Sequence, residues 1–425
     1  MGILELNDAV RQGRIDRARE LVLKWPHTFG AEEVRSMLAT DERDDDRSLP
    51  ELAIDLLPDV GMSDRFDAQK THDAVDLPQP TNFTIFSDVG LPNPFKRASS
   101  AAPEMWVYSV EDGLAVGSAR SEVVLDAEGR YLPYVTRAPY LAPLFHDIET
   151  EKLRGTALMV RTPGAVMFSH WLYDLLPRIE AARVAGFGPD QVDHVLVNGQ
   201  KFGYEFETLR AMGYRDEQIK HVDGSTGPIH ADRLVVPTYP RATEKSKFTP
   251  DWARAMVRSL FGIGGDPENR PARPKVAYLS RQKAYRRKIV PHDQLDAFLG
   301  DYDAVWLEPE KVSVREVAHE LRDAALFLGP HGAGLANGVF LPSWAGAIEI
   351  IGSQFMLEHF HVLTSSTSHY VGVTAADEGD DVFTEAAIAR MRSRTNTENQ
   401  ELDIYLDRDR TEQALAWARD FLDRY

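Results

Sequence analysis

The chain has 425 residues, of which 43% are apolar, and it carries a formal net charge of −18. This length favours two domains, and the apolar content is that of a globular protein rather than a disordered one. The negative charge disfavours binding to nucleic acid or to an anionic membrane unless basic residues are concentrated at one place. Because the chain contains no cysteine, disulfides, cysteine-ligated metals and thiol catalysis are excluded.

The first 80 residues are predicted to form a helical extension followed by a linker. Apolar residues recur at helical spacing over residues 3–24, and the run DERDDDR at 41–47 is typical of a solvated segment. The charges near the N-terminus argue against a secretory signal, and no stretch is apolar enough to span a membrane. The sequence therefore predicts a cytoplasmic protein and leaves peripheral membrane association open.

Beyond residue 80 the pattern changes to short strands and then to alternating strands and helices. Gly113, Gly117 and Gly129 separate short apolar runs, which predicts strands and turns. Further strands are predicted at 157–160, 194–197, 233–236, 275–279, 304–307, 325–328 and 347–351. Helices are predicted at 169–185, 205–212, 250–262, 293–299, 313–323 and 410–422, and another begins within 334–340.

This βαβ rhythm occurs in two consecutive blocks, which predicts an α/β protein with parallel sheets. We place an N-terminal Rossmann-like domain with a β-rich start at 81–245 and a C-terminal one at 246–425. In folds of this kind ligands bind at the carboxyl ends of the strands, here in a cleft that the two domains are expected to face.

The predicted helix at 169–185 carries the first candidate for chemistry. His170, Asp174 and Arg178 stand at i, i+4 and i+8, so one face of a regular helix would hold all three. A histidine beside a carboxylate can act as a general base. The same spacing also fits a helix start with a local salt bridge, and the residues alone leave both interpretations open. Pro177 should remove one backbone hydrogen bond and kink the helix.

The charge balance reverses between residues 269 and 292, where 24 residues contain eight cations and no acid. The predicted strand at 275–279 ends within this segment, and Arg281 follows shortly after its carboxyl end. Arginine can hold a phosphate through two parallel hydrogen bonds, a geometry that lysine lacks. The segment therefore predicts an anion site, and a solvated basic loop fits the charges equally well.

A glycine-rich turn follows the predicted strand at 325–328. In GPHGAGLAN at 329–337, Gly332 and Gly334 permit a tight turn and a close approach of the backbone. A helix that begins there would offer free N–H groups to a phosphate. A structural turn with a surface histidine is the alternative, since a GxG pattern alone is weak evidence for nucleotide binding.

The remaining polar residues do not predict a metal centre. Glu349 lies at the end of a predicted strand, where a carboxylate can accept hydrogen bonds from two sugar hydroxyls. His359 and His361 have no compact group of carboxylates beside them in the sequence. No Asp-x-Asp motif stands at a strand end, so the sequence predicts neither a bound metal nor a cofactor.

Three segments taken together resemble glycosyltransferase family 61, which includes polysaccharide-biosynthesis enzymes of bacteria and archaea. They are FSHWLYDLLPRI at 168–179, VAYLSRQKAYRRKIV at 276–290 and LGPHGAGLANGVFLPSWAGAIEI at 328–350. The resemblance covers about residues 80–425. It implies a two-domain GT-B fold, a nucleotide-sugar donor, and inversion at the anomeric carbon without a bound metal.

The resemblance also implies roles for individual residues. Arg281 and Arg287 would neutralise the donor diphosphate, and Glu349 would bind ribose or sugar hydroxyls. Either His170 or Asp174 would deprotonate the acceptor hydroxyl. The residues implied to hold the phosphate or nucleotide are His331, Gly332, Ala333, Gly334 and Leu335, with Arg178 and Asn337 in support.

The expected reaction moves a sugar from a nucleotide sugar, expected to be a UDP-sugar, to a hydroxyl of a glycan or glycolipid in surface polysaccharide or glycoconjugate biosynthesis. Negative charge develops on the leaving diphosphate, and arginines and N–H groups can stabilise that charge. In-line attack by a hydroxyl that loses its proton to a base gives inversion. Two alternatives remain: a sugar-nucleotide enzyme of the epimerase kind, and a non-catalytic glycan-binding or scaffold protein of the same fold.

Overall fold

The computed structural model describes residues 62–424 apart from 78–80, 90–99, 117–121, 137–149, 163, 223–227, 241–248, 266, 268–269, 309, 353–359, 395–397 and 399–401. Most of the predicted N-terminal extension, residues 1–61, lies outside the described residues. The same holds for the predicted domain boundary at 245, for His359 and for the side chain of His361.

The chain divides into two compact units. The first comprises the described residues up to Ala74 together with Pro103–Pro240, and the second comprises Val75–Ala102 together with the described residues from Arg241 onward. Each unit contains its own β-sheet with parallel strands and flanking helices, which confirms the predicted α/β class.

The elements are numbered in chain order. The strands are β1 (Asp67–His72), β2 (Val75–Leu77), β3 (Phe83–Phe86), β4 (Ser100–Ala102), β5 (Met105–Val116), β6 (Val123–Leu125), β7 (Glu151–Met159), β8 (His194–Val197), β9 (Ile219–His221), β10 (Ile229–Pro237), β11 (Lys275–Leu279), β12 (Ile289–Val290), β13 (Asp303–Leu307), β14 (Leu326–Pro330), β15 (Gly346–Ile351), β16 (His369–Thr374), β17 (Ala376–Asp377), β18 (Asp380–Asp381) and β19 (Ile404–Tyr405).

The helix α1 is continuous and has three parts: α-helical Phe168–His170, π-helical Trp171–Leu175 and α-helical Leu176–Val184. The other α-helices are α2 (Gly203–Ala211), α3 (Asp251–Leu260), α4 (Asp293–Gly300), α5 (Val314–Leu321), α6 (Phe360–Ser366), α7 (Glu385–Ser393) and α8 (Arg408–Asp423). Short 3₁₀ helices cover Asp216–Gln218 and Ala333–Phe340. In the described ranges every helix is too short or too polar to cross a bilayer.

The sheet of the first unit has the order β1-β5-β10-β7-β8-β9, with β6 paired to β5. The strands β10, β7, β8 and β9 are parallel, whereas β5 runs antiparallel to β10. Ala157, Met159, Leu196, Leu234 and Val236 alternate along three of these strands and share one buried cluster. This cluster positions the parallel strands, so their carboxyl ends meet at one edge of the sheet.

The main sheet of the second unit is parallel throughout, with the order β13-β11-β14-β15-β16-β3. The central strands are buried along nearly their whole length. Their sequences KVAYL, LFLGP and GAIEII are almost continuously apolar, as expected for parallel strands covered on both faces. Two smaller sheets, β12-β19-β17-β18 and β2-β4, complete the unit.

The strand β3 belongs to the second unit, although its place in the chain predicts the first. The sequence analysis placed residues 81–245 in an N-terminal domain, but β3 pairs parallel with β16 at the end of the second sheet. Gly372 in β16 provides the space for this pairing, since a Cβ there would lie 2.5 Å from Ile85 Cδ1. Such a contact joins residues far apart in the chain, so a local pattern cannot reveal it.

Candidate active site

The helix α1 begins in the loop beyond the carboxyl end of β7 and carries His170 and Asp174 in its first turns. Nδ1 of His170 lies 2.6 Å from Oδ2 of Asp174, and the two side chains are only 12% and 7% exposed. A carboxylate offers acceptors only, so Nδ1 bears the proton of this hydrogen bond. The pair therefore has the arrangement that a general base needs.

A π turn follows His170 directly. Over Trp171–Leu175 the backbone is π-helical, and the N–H of Leu176 donates to the carbonyl oxygen of Trp171. Pro177 has no N–H, and its ring crowds the carbonyl of the residue four positions earlier, so a regular helix cannot pass through it unchanged. The structure accommodates this proline by widening the turn just before it, a feature that is frequent at functional sites.

The wider π turn changes the angular position of Arg178 on the helix relative to His170, so Arg178 does not lie on the face that a regular helix would give it. Its side chain is completely buried. The guanidinium donates to the carbonyl oxygens of Met159, Arg161 and Pro237 and lies 4.2 Å from the centre of the Tyr239 ring. Arg178 therefore ties together the carboxyl ends of β7 and β10.

In the second unit, the loop after β11 gathers three arginines. The Arg281 guanidinium lies 3.4 Å from Glu310 Oε1 and from the carbonyl oxygen of Arg286. Arg287 has a φ of +59°, a strained conformation for a residue with a side chain. Burial, followed by the charges of Arg281 and Arg286, lowers the pKa of Arg287 to about 10. Two positive charges therefore lie near the Arg287 guanidinium.

The Arg287 guanidinium is directed to the glycine-rich turn after β14. A Cβ built on Gly332 would lie 3.3 Å from Arg287 Nη1, so this glycine leaves room for the guanidinium. Nε of Arg287 is buried and has no hydrogen-bond partner among the described residues. A buried donor without a partner is costly, and an anion between the loop and the turn would satisfy it.

Two lysines of the acid-free segment are paired with acids instead. Lys275 lies 2.6 Å from Glu320 and 3.2 Å from Asp323, and Lys283 lies 2.9 Å from Glu308. The exposed Lys283 matches the solvated-loop interpretation. The segment therefore contains both paired lysines and an arginine group.

His331 follows β14 directly and is 5% exposed. Its Nδ1 lies 2.5 Å from Oε1 of Glu349 in β15, and the hydroxyl of Tyr370 in β16 donates to Oε2 of Glu349 at 2.7 Å. Both oxygens of Glu349 are therefore engaged within the protein. The sequence analysis expected this carboxylate to bind ribose or sugar hydroxyls, whereas its observed contacts hold His331.

The glycine-rich turn leads into the helix that was predicted there, and this helix is of the 3₁₀ type. The Leu335 N–H already donates to the Gly332 carbonyl at 3.0 Å, which makes it unavailable to a ligand. A Cβ at Gly334 would lie 2.9 Å from Leu279 Cδ2, so this glycine allows the turn to pack on β11. Asn337 donates to the Gly334 carbonyl at 2.8 Å and stabilises the turn from within.

Sequence reasoning missed Arg286, Tyr370 and Gly164. The acid-free segment was a signal for Arg286, because the residue stands inside it. Tyr370 had no local signal, since its contact depends on the pairing of β15 with β16. Gly164 packs under His170: it has a φ of +80°, and a Cβ there would lie 2.7 Å from His170 Cδ2. In the part of the chain that is described, no group of three or more His, Asp or Glu residues could hold a metal ion.

Comparison with known families now assigns the class of protein. Residues 168–348 match the family model described as Glycosyltransferase 61. The matched stretch includes the His170–Asp174 pair, the arginine loop and His331, so the chain is a glycosyltransferase. Over these residues the chain is similar to glycosyltransferase family 61.

Comparison with individual proteins adds little. No curated protein matches the chain significantly. Among solved structures, it is similar to the bacterial iron-containing dodecameric glycosyltransferase TibC from enterotoxigenic E. coli H10407, with 10% sequence identity and a TM-score of 0.26. That similarity covers 64% of this chain and 81% of TibC. At such a TM-score it supports no argument about this chain.

Proposed function

We propose that the chain is an inverting, metal-independent glycosyltransferase of the GT-B kind that acts in the cytoplasm. It transfers a sugar from a UDP-sugar to a hydroxyl of a glycan or glycolipid in the biosynthesis of a surface polysaccharide or glycoconjugate. In this proposal the first unit supplies the base and the second unit binds the donor.

The arginine group is the observation that carries the proposal. Arg281, Arg286 and Arg287 stand together in a chain whose net charge is −18. Holding three like charges close together is unfavourable unless a counter-charge binds. A diphosphate meets this need, because paired guanidinium N–H groups match its oxygens.

The reaction breaks the bond between the anomeric carbon and the diphosphate oxygen. The electron pair leaves with UDP, so negative charge grows on that oxygen as the bond lengthens. Arg281 and Arg287 stabilise this charge, and His331 with the nearby N–H groups adds donors that are already oriented. Arginine can thus supply the stabilisation that a divalent metal supplies in other transferases.

The acceptor hydroxyl must lose its proton as it attacks the opposite face of the anomeric carbon. Nε2 of His170 takes this proton, and Asp174 stabilises the imidazolium that results. One direct displacement inverts the anomeric configuration. Between the two candidates for the base, this geometry favours His170, since Asp174 Oδ2 is already bonded to the ring.

Gly164→Ala should lower turnover about 10-fold to 100-fold, because the added methyl group displaces the His170 ring. Gly186→Ala is the matched control: Gly186 has a φ of +91°, and a Cβ there would meet nothing within 4 Å. Both variants should lose similar stability in thermal unfolding. Only Gly164→Ala should lose turnover in steady-state kinetics, and equal losses in both would contradict the placement of His170.

A donor screen tests the proposed function itself. The purified protein is incubated with a panel of UDP-sugars and other nucleotide sugars, with glycan acceptors, and with or without EDTA. We expect acceptor-dependent release of UDP, a product with inverted configuration, and the same rate with EDTA. Epimerised donor without transfer, no nucleotide binding, or activity that EDTA abolishes and a divalent ion restores would each overturn the corresponding part of the proposal.

A further inference from the structure

A side chain joins β7 to β8 just beyond their carboxyl ends. A backbone hydrogen bond first runs from the Val160 N–H to the Leu196 carbonyl oxygen at 3.1 Å. In a parallel ladder of this register, the Thr162 N–H would next donate to the backbone carbonyl oxygen of Asn198. It donates instead to the side-chain Oδ1 of Asn198 at 2.9 Å. The side-chain amide therefore takes the place of a peptide group in the ladder.

The Asn198 amide bonds to both backbone groups of Thr162. Its Oδ1 accepts from the Thr162 N–H, and its Nδ2 donates to the Thr162 carbonyl oxygen, each at 2.9 Å. A backbone N–H can only donate and a carbonyl can only accept, so this orientation of the amide makes both bonds at once. Thr162 is 1% exposed, and removing partners from buried backbone groups is costly. The side chain of Asn198 thus anchors Thr162.

A turn connects Thr162 to the start of α1. The Thr162 carbonyl oxygen also accepts from the Ala165 N–H at 3.2 Å, and the Gly164 carbonyl oxygen accepts from the Met167 N–H at 2.7 Å. Gly164 lies inside this turn, where a Cβ would be 2.7 Å from Cδ2 of His170. The position of the His170 ring therefore depends on the turn that Asn198 anchors.

We infer that Asn198 is a positioning residue for His170. It fixes the turn at Thr162, and the turn holds Gly164 against the imidazole ring. The inference rests on the proposed function only where it names His170 as the base, since the turn and its contact with the ring are properties of the protein without substrate.

Asn198→Ala in the full-length protein tests the inference. With the donor and acceptor that the donor screen identifies, turnover of the folded protein should fall about 10-fold, because a displaced base is poorly aligned with the acceptor hydroxyl. The acceptor KM and the UDP affinity measured by calorimetry should stay within about twofold, as expected when an interaction of the transition state alone is lost.

A double-mutant cycle with Gly164→Ala distinguishes positioning from a general loss of stability. Both substitutions displace the same ring through the same turn, so their effects on turnover should be coupled. The double variant should lose much less turnover than the product of the two single losses. A loss equal to that product would show that Asn198 acts independently of Gly164 and would contradict the inference.

Carbon–proton NMR of the imidazole Cδ2–H groups provides a readout that needs no substrate. The chain has 13 histidines, and the signal missing from His170→Ala assigns the ring of His170. Because Cδ2 is the ring atom nearest to the position of a Cβ on Gly164, this signal should shift in Asn198→Ala. If the wild type transfers no sugar, the proposed function fails while this measurement still decides the positioning role.

Gln218→Ala is the matched control. Gln218 is 3% exposed and directly precedes β9. Its amide also bonds to the backbone in both directions: Oε1 accepts at 2.9 Å from the N–H of Arg215, and Nε2 donates at 2.9 Å and 2.6 Å to the carbonyl oxygens of Pro189 and Val192. These bonds lie at the amino ends of β8 and β9, at the opposite edge of the sheet from α1.

The two amide variants should therefore differ in function more than in stability. Gln218→Ala should lower the unfolding temperature much as Asn198→Ala does, yet keep wild-type turnover and the wild-type His170 signal. An unchanged His170 signal in Asn198→Ala, or an equal loss of turnover in both variants, would overturn the inference.

Discussion

Replacing Arg287 with alanine should weaken UDP binding about 100-fold, because a half-buried charge then no longer meets the diphosphate. Without a ligand, the charge of Arg287 is in an unfavourable environment, because burial and the charges of Arg281 and Arg286 lower the pKa of Arg287 to about 10. A basic group with a lower pKa in the folded chain than in the unfolded chain destabilises the fold at every pH where it is charged. At pH 7 the variant should therefore unfold, without ligand, at a temperature no lower than the wild type does.

Calorimetry and thermal unfolding with and without UDP check this expectation. UDP should raise the unfolding temperature of the wild type and have little effect on Arg287→Ala. Lys283→Ala is the control, since it removes a positive charge from the same loop but one that is exposed and paired with Glu308 at 2.9 Å. If Lys283→Ala loses as much affinity as Arg287→Ala, the loop acts only through its overall charge, and the specific diphosphate contact is wrong.

Replacing either member of the proposed His170–Asp174 pair should produce the second large effect. His170→Ala and Asp174→Asn should each lower turnover about 100-fold to 10,000-fold, because the acceptor hydroxyl loses its base or the base loses the carboxylate that orients it. Affinity for UDP should remain within about twofold, since neither side chain binds the donor in this mechanism. Steady-state kinetics with saturating donor, together with calorimetry of UDP, measure the two effects separately.

The first unit also contains a second histidine–carboxylate pair that serves as a control for this experiment. His221 at the end of β9 bonds through Nε2 to the buried Glu205 at 2.8 Å, so it is a second histidine–carboxylate pair in the same fold. His221→Gln should cost stability but leave turnover of the remaining folded protein unchanged. Full activity in both His170→Ala and Asp174→Asn, or a comparable loss in His221→Gln, would remove the start of α1 from the chemistry.

Short-range patterns predicted much of the local structure. The strand predicted at 275–279 is β11 with the same bounds, and the last predicted helix, 410–422, lies within α8. These predictions succeeded because hydrophobic periodicity and apolar runs reflect which side chains a single element must bury. The helix predicted to begin within 334–340 is present as Ala333–Phe340, and its type is 3₁₀, with Asn337 bonded to the Gly334 carbonyl.

The candidate sites were predictable where their residues lie close together in the sequence. The pairing of His170 with Asp174 follows from a spacing of four residues on one helix, although Pro177 made the helix irregular. The arginine site followed from composition, but the sequence did not distinguish Arg287 from Lys283. Only folding separates them, because one cation lies against the turn at Gly332 and the other lies at the surface beside Glu308.

By itself, the sequence determined the α/β class, the resemblance to glycosyltransferase family 61 and the candidate segments for chemistry, because each depends on residues close together in the chain. The tertiary structure alone decided that β3 joins the second sheet and that Arg178 ties two strands together. It also decided that Glu349 and Tyr370 hold His331. These features depend on which strands pair and in what register, and that choice is made by contacts between residues up to about 290 positions apart, such as Phe83 with Tyr370. A chain with a net charge of −18 can therefore still contain a local anion site, since folding places three arginines together and pairs Lys275 and Lys283 with acids.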